Sequence, residues 1–184
     1  MKIARGGLSL LAALWLGLCA PSAHAEAATP TEQQLKAVFV FNFSHFVAWP
    51  PDAFGTPTEP FLICVLGGDA LGEQLKLAVR DERLDTHPLE VRALHDAEDI
   101  RGCKILYIDG SAGAAIDRVL ARVAHERILT VSDADDAARR GVIIQLDTED
   151  NRIHLLINTD SARAAGLTIS SNLLRLARVA HTGD

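Results

Sequence analysis

The sequence predicts an α/β fold, a single three-layer α/β/α domain on a mainly parallel sheet of about five to six strands, with an antiparallel hairpin at one edge. Over residues 61–139, short apolar runs alternate with segments of helical periodicity, which is typical of parallel strands joined by crossover helices. Two further apolar runs, residues 142–146 and 153–157, are joined by the polar stretch DTEDNR, and this pattern indicates the hairpin.

Residues 1–25 have the composition of a secretory signal peptide. A basic start precedes an apolar run over residues 8–18, and Ala23-His24-Ala25 matches the small-x-small pattern that signal peptidase recognises. We therefore expect cleavage before Glu26 and one mature domain, residues 26–184, in the periplasm. The apolar run is roughly half the ~20 residues that a permanent membrane helix needs, so we expect no insertion into the membrane.

The export signal decides how many of the three cysteines remain. Cys19 follows the apolar run and raises a lipoprotein signal as an alternative, but Leu18 is not the small residue that should precede a lipidated cysteine. Cleavage before Glu26 leaves Cys64 and Cys103, which allow one intramolecular pairing in an oxidising compartment. A bridge that closes this loop of about 40 residues would stabilise the fold by roughly 4 kcal/mol on the chain-entropy model. The alternative is two buried free thiols.

The charge balance argues against nucleic acid as a partner. The chain has a net charge of −6, and loss of the signal, which holds Lys2 and Arg5 and no acidic residue, makes it −8. Phosphate binding needs a concentrated positive face, and this composition does not provide one. We expect a soluble acidic domain.

Residues 35–49 are predicted to form an amphipathic helix that holds four of the six phenylalanines of the chain. Its apolar stripe recurs at three- and four-residue steps, which is the spacing of one helical face. The stripe consists of Leu35, Val38, Phe39, Asn42, Phe43 and Phe46. Val40 and Phe41 lie off this stripe, which indicates burial on more than one side or contact with a partner.

The remaining elements follow from apolar runs and stop signals. Strands are expected at the short apolar runs, residues 61–66, 89–94, 104–108 and 128–131, which come before the hairpin. Helices are expected where apolar positions have helical spacing, at residues 70–79, 114–124, 133–139, 160–165 and 170–180. The final helix has Ser170 or Ser171 as its expected cap.

No arrangement of side chains in the sequence predicts catalysis, a cofactor or a metal ion. The Gly67-Gly68-Asp69 turn follows a buried strand, where α/β folds bind phosphates, but it lacks the dinucleotide fingerprint and its aspartate would repel phosphate. No two histidines have the spacing of a helical metal pair, and Ser111 and Ser170 lack the setting of a nucleophile. We expect a tight structural turn and a protein that acts by binding.

Two segments together resemble the YfiR family of periplasmic proteins. The first, residues 36–50, is KAVFVFNFSHFVAWP, and the second, residues 157–177, contains the terminal motif AGLTISSNLLRLA. The strand that ends at Leu66-Gly67 and the stretch LTVSD at residues 129–133 extend the similarity over essentially the whole mature chain. The terminal motif is its most specific part.

The resemblance implies a small α/β protein that represses an inner-membrane diguanylate cyclase by binding the cyclase's periplasmic domain. Such repression lowers cyclic-di-GMP synthesis and affects biofilm behaviour. The resemblance further implies a homodimer, sequestration by an outer-membrane lipoprotein, and a fold supported by disulfides. A second bridge described for the family cannot form here, because cleavage leaves only Cys64 and Cys103.

Repression by binding requires an exposed apolar surface, and two segments could provide it. One is the aromatic helix over residues 35–49. The other is the terminal segment, whose candidate partner-binding residues are Leu167, Ile169, Leu173, Leu174 and Leu176. Either segment could instead be core, and the terminal segment is favoured because amphipathic terminal elements can dock with one face left open.

Two other functions stay open at the level of the sequence. One is a periplasmic small-ligand sensor that holds a metabolite in a cleft beside Gly67-Gly68 and feeds a membrane histidine kinase or cyclase. The other is a hydrolase whose active site leaves no recognisable motif. A neighbouring gene that encodes a membrane cyclase or kinase would favour the two regulatory functions over the hydrolase.

Overall fold

The computed structural model describes residues 29–183 with the exception of residues 57, 97, 98, 125 and 151. Over these residues the chain forms an α/β domain around an eight-stranded sheet, which confirms the predicted fold class. The predicted signal peptide and the cleavage site before Glu26 lie outside the described residues.

The helices of the described residues are α1 (Glu32–Phe46), α2 (Asp69–Ala78), α3 (Ile116–Val123), α4 (Thr159–Ala164) and α5 (Ser171–Leu174), with 3₁₀ helices at Pro51–Ala53 and Gly110–Ala115. The strands are β1 (Val47–Ala48), β2 (Phe61–Leu66), β3 (Arg83–Leu84), β4 (His87–Leu94), β5 (Cys103–Ile108), β6 (Leu129–Ser132), β7 (Ile144–Glu149), β8 (Arg152–Asn158), β9 (Thr168–Ile169) and β10 (Ala177–Ala180). β1 and β9 form a separate antiparallel pair.

The main sheet has the strand order β10-β8-β7-β6-β5-β2-β4-β3. β4, β2, β5, β6 and β7 are mutually parallel, and the strand order reverses direction at β2, because β4 lies on one side of it and β5 on the other. Eight strands exceed the predicted five to six, because the short β3 and the terminal β10 add to the six that apolar runs predict. The β7–β8 hairpin is therefore not at the edge, since β10 pairs outside it.

Two apolar cores lie on opposite faces of the sheet. On one face, Ile63 and Val65 of β2 and Ile105 of β5 pack in the core that includes α1 and α2. On the other face, Leu66 and Leu106 pack with the buried side of α3. Helices on both faces produce the three layers that the alternation of strands and helices predicts.

The end of the chain differs from the predicted helix over residues 170–180. Ser170 does cap a helix, because its side chain accepts a hydrogen bond from the Leu173 amide, but α5 ends at Leu174. Ala177–Ala180 instead form β10, which pairs in parallel with β8. The backbone groups along that edge of β8 need partners, and a strand supplies them where a continued helix would not.

The predicted helix over residues 133–139 is also wrong. The segment forms a series of turns, and Asp136 has a positive φ of 56°, which a right-handed helix cannot contain. The amide of Ala138 donates instead to the side-chain oxygen of Gln145, a buried residue of β7, at 3.0 Å. A side chain from a neighbouring strand thus replaces the helical hydrogen bond.

α1 is present, but it spans Glu32–Phe46 and not residues 35–49, and the predicted apolar stripe is only partly buried. The helix begins at a capping box in which Thr31 and Gln34 exchange hydrogen bonds between their side chains and amides. Val38 and Phe46, both in the predicted stripe, are 50% and 37% exposed. The buried side consists of Lys36, Ala37, Val40, Phe43 and Ser44. Two of these residues are polar, so an apolar pattern does not find this face.

Lys36 joins α1 to the sheet near the carboxyl ends of the parallel strands. Its Nζ lies 2.5 Å from Asp133 Oδ2, just after β6, and 2.7 Å from Glu32 Oε1. Asp133 Oδ1 also accepts the Gly110 amide, and Glu32 accepts the Thr148 hydroxyl. Burial lowers the pKa of Lys36, but the hydrogen bonds to Asp133 and Glu32 outweigh burial, so its pKa is raised.

The surroundings of Lys36 also shift the pKa values of Glu32 and of the buried Tyr107. Hydrogen bonds from Lys36 and then Thr148 lower the pKa of Glu32, so the carboxylate stays ionised in mild acid. Burial, and then the charge of Asp133, raises the pKa of Tyr107, which keeps the phenol protonated. The cluster is therefore a structural clamp between α1, β5 and β6.

We expect Lys36→Met to lower the free energy of unfolding by about 2 kcal/mol, because it leaves the Asp133 carboxylate without its buried partner. The stabilisation from Glu32 is present above the ordinary pKa of a glutamate and is lost as the pH falls through the lowered pKa. Urea unfolding of wild type and variant at neutral and at acidic pH measures both effects. The difference in free energy of unfolding between wild type and Lys36→Met should become smaller in acid. An equal difference at both pH values would contradict the role of Glu32.

Candidate functional site

Exposed apolar side chains mark the end of the chain as the candidate interface. Leu176 is 76% exposed and Val179 is 54% exposed, on the segment that leads into and forms β10. Ile169 and Leu174 lie nearby in sequence, half-buried and packed on the core. We call these four residues, together with the outer edge of β10, the terminal surface.

The structure divides the five predicted partner-binding residues into three groups. Leu167 and Leu173 are 5% and 4% exposed and belong to the apolar core, so they have almost no surface to offer a partner. Ile169 and Leu174 each present part of their surface. Leu176 is the most exposed large apolar residue of the described part of the chain. Of the five predicted residues, Leu176 therefore offers a partner the most surface.

Val179 is an interface candidate that sequence reasoning missed. In the predicted helix over residues 170–180, nothing sets Val179 apart from the other apolar residues. In β10 it lies on an edge strand, one residue from Arg178, which is also exposed. The residues of β10 do not alternate between apolar and polar, so local sequence gives only the strand preference of the β-branched Val179 as a signal.

The outer edge of β10 is open. β10 pairs with β8 on one side, and no other strand among the described residues pairs with its second side. An open edge presents unpaired backbone N–H and C=O groups, to which an extended segment of another chain can add as a further strand. The terminal surface thus offers both apolar side chains and backbone hydrogen bonds.

The two segments that were separate candidates in the sequence meet in the structure. β1, which follows α1 directly, pairs with β9, so that Val47 lies opposite Ile169. The Ser170 amide donates to the Phe46 carbonyl at 2.9 Å. Phe46, 37% exposed at the end of α1, therefore extends the apolar area towards the terminal surface.

Basic side chains border the terminal surface although the protein is acidic. Arg175 and Arg178 are both exposed, and Arg175 donates a hydrogen bond to the Asn172 side chain. His181 follows β10 and lies 2.9 Å from Asp160. Hydrogen bonds from His181 and then from Arg163 lower the pKa of Asp160. An apolar centre with a basic rim favours a partner surface that is apolar and acidic.

Cys64 and Cys103 form the predicted disulfide, which joins β2 to the start of β5. Both residues are buried. The Arg92 guanidinium lies 3.5 Å from Cys103 Sγ and 3.8 Å from Cys64 Sγ, and it donates to the carbonyls of Asp99 and Arg101. The bridge and Arg92 together hold the connection between β4 and β5.

The turn at Gly67-Gly68 is tight, as the sequence suggests. Gly68 has a φ of 65°, and a Cβ there would lie 2.5 Å from Asp109 Oδ2. A cavity of about 270 Å³ does lie beside this turn, on the side of α2. Its polar lining is Asp69, Glu73 and Lys76, and Lys76 is paired with Glu73 at 2.7 Å. Two carboxylates and a neutralised lysine disfavour an anionic metabolite at this cleft.

Two further observations concern metals and membranes. Within the described ranges, no three or more His, Cys, Asp and Glu side chains come together in a way that could hold a metal ion. The helices of the same residues are too short or too polar to cross a bilayer.

Comparisons with known proteins agree with this architecture. The family model described as YfiR/HmsC-like matches residues 33–178. The crystal structure of a conserved domain protein from Vibrio cholerae O1 biovar El Tor is similar with a TM-score of 0.56 at 14% identity. The match covers 81% of this chain and 60% of the Vibrio cholerae chain, so it supports the fold alone. No curated protein matches the sequence.

Proposed function

Because the chain belongs to the YfiR/HmsC-like family, we propose that it represses an inner-membrane diguanylate cyclase by binding the periplasmic domain of that enzyme. The family consists of periplasmic regulatory proteins, and the Cys64–Cys103 disulfide fits an oxidising compartment. Bound to its target, the protein lowers the synthesis of cyclic-di-GMP on the cytoplasmic side of the membrane.

The observation that supports this function most directly is the terminal surface. Leu176 and Val179, two of the most exposed large apolar side chains among the described residues, both lie next to an open strand edge. Such a combination is typical of a surface that another chain covers. Residues 165–177, where the similarity to the family is most specific, include part of this surface.

Repression by binding depends on differential affinity. The protein shifts the cyclase towards its inactive state only as far as it binds that state more tightly than the active one. A hundredfold preference corresponds to about 2.7 kcal/mol, which a few well-packed apolar contacts can supply. The basic rim at Arg175 and Arg178 would add orientation and speed of association with an acidic partner surface.

The proposal includes two further contacts that the family suggests. The protein acts as a homodimer, and an outer-membrane lipoprotein competes for it and so releases the cyclase. Since the mature chain can form one bridge only, we assign the disulfide a structural role and do not require it to be the sensor.

Deletion of the gene tests the proposal. We expect cyclic-di-GMP to rise in the deletion strain and to return to its original level when the intact gene is restored. The exported protein, used as bait against solubilised inner membranes, should capture a cyclase with a periplasmic domain. Unchanged nucleotide levels together with failure to capture any cyclase would contradict the proposed function.

A further inference from the structure

A second cavity lies where the strand order of the sheet reverses. Its volume is about 290 Å³, and it is formed by Leu66 at the end of β2, His95 just after β4, and Ala112 in the 3₁₀ helix that follows β5. In open α/β sheets, ligands bind outside the carboxyl ends of the strands at the point where the strand order reverses. The cavity occupies this position on the face covered by α3.

The walls of the cavity combine two arginines with an apolar floor. Arg118 and Arg122 lie four residues apart on α3, so both are on the side of the helix that lines the cavity. Leu66, Ala112 and Ala115 supply the apolar part of the lining. A planar guanidinium matches the geometry of a carboxylate or a phosphate with two parallel hydrogen bonds.

Arg118 has no partner of its own among the residues that the structure describes, whereas most other cavity-lining cations do. Arg140, in the cavity between α3 and α4, donates to Asp117 and to the Gly113 carbonyl. Lys76, beside the Gly67-Gly68 turn, is paired with Glu73. The Arg118 guanidinium, where the strand order reverses, is thus available to a ligand.

We propose that this cavity binds a small organic anion, with its carboxylate or phosphate group on Arg118 and its apolar part on Leu66 and Ala112. Asp96 also lines the cavity, and its carboxylate disfavours a ligand with several negative charges. The volume admits a molecule of about one ring and its charged group. The proposal does not depend on which protein the terminal surface binds.

Three probes test the site on the mature exported protein by methyl NMR titration. Benzoate and phenyl phosphate each carry a ring and one of the two anionic groups, and benzamide is the neutral counterpart of benzoate. We expect one or both anions to shift the methyl signals of Leu66 and Ala112 saturably, and benzamide to leave them unchanged. The two anions distinguish a carboxylate site from a phosphate site.

Two arginine variants decide whether Arg118 recognises the charge. Arg118→Gln should weaken binding of the anion at least about tenfold, because it removes a charge-assisted hydrogen bond, and Arg118→Lys should have a smaller effect. Arg152→Gln, at an exposed arginine of β8 outside the cavity, is the matched control and should bind as wild type does. Equal affinity of wild type and Arg118→Gln, shifts confined to other methyl groups, or no shift up to about 50 mM anion would overturn the proposal.

Discussion

We expect the Leu176→Glu variant to fold as wild type does and to lose repression, so that cyclic-di-GMP stays at the level of the deletion strain. Leu176 is 76% exposed, and substitutions at such positions usually change the free energy of unfolding by less than about 0.5 kcal/mol. In a complex, however, the glutamate would have to enter an apolar contact. Placing an unpaired charge there should cost at least 2 kcal/mol, or a roughly thirtyfold loss of affinity.

The measurements are capture of the cyclase by the purified variant and cyclic-di-GMP in a complemented deletion strain. Leu77→Glu is the matched control, because Leu77 is also a leucine that is more than half exposed, 55%, but lies on α2 outside the terminal surface. It should capture and repress normally. A thermal unfolding curve for each variant separates loss of the interface from loss of the fold.

Cyclase capture and cyclic-di-GMP levels can also show whether the interface lies elsewhere on the protein. Val38 is 50% exposed on α1 and is not one of the residues of the terminal surface. Normal capture by Leu176→Glu together with failure of Val38→Glu would show that the partner covers the aromatic helix. Normal capture by both variants would exclude both of the segments that the sequence proposes.

Much of the fold could be predicted because the central strands are short and apolar. Phe61–Leu66 and Cys103–Ile108 are almost completely buried, and the turn at Gly67-Gly68 ends the first of them, so runs and stop signals find them directly. The disulfide could be predicted from the cysteine count, because the predicted export signal contains Cys19 and leaves Cys64 and Cys103 as a pair. These features depend on local composition, which the sequence shows without knowledge of tertiary contacts.

The predictions that failed depend on tertiary partners. The buried face of α1 contains Lys36 and Ser44, and burial of Lys36 depends on Asp133, 97 residues away, which accepts its hydrogen bond. β10 forms because β8 offers an edge, and local periodicity over residues 170–180 allows a helix equally well. Val179 could not be found for the same reason, since its place on an edge strand follows from that pairing.

Removal of the disulfide should produce a large loss of stability. Cys64 and Cys103 are 39 residues apart, and closing a loop of this length contributes about 4 kcal/mol on the chain-entropy model. We expect Cys64→Ala with Cys103→Ala to lower the free energy of unfolding by about 3–4 kcal/mol and the melting temperature by roughly 10 °C. Denaturant unfolding and thermal melting of the double variant, measured without reductant, give both values.

Reduction of the wild type provides the control for this double variant. The sulfurs are buried, since Cys64 is 0% and Cys103 is 3% exposed, so dithiothreitol should act slowly on the folded protein and fully only after unfolding. Wild type that is reduced while unfolded and then refolded should match the double variant in stability. Equal stability of oxidised and reduced wild type would contradict the predicted contribution of the bridge.

The double variant should nevertheless stay folded and keep its function. Arg92 holds the connection between β4 and β5 through the carbonyls of Asp99 and Arg101, and these bonds do not need the bridge. The terminal surface lies within residues 169–180, which contain no cysteine. We therefore expect cyclase capture at 25 °C to equal that of wild type despite the lower melting temperature. A folded double variant that no longer captures the cyclase would show that the bridge acts on the interface and does more than stabilise the domain.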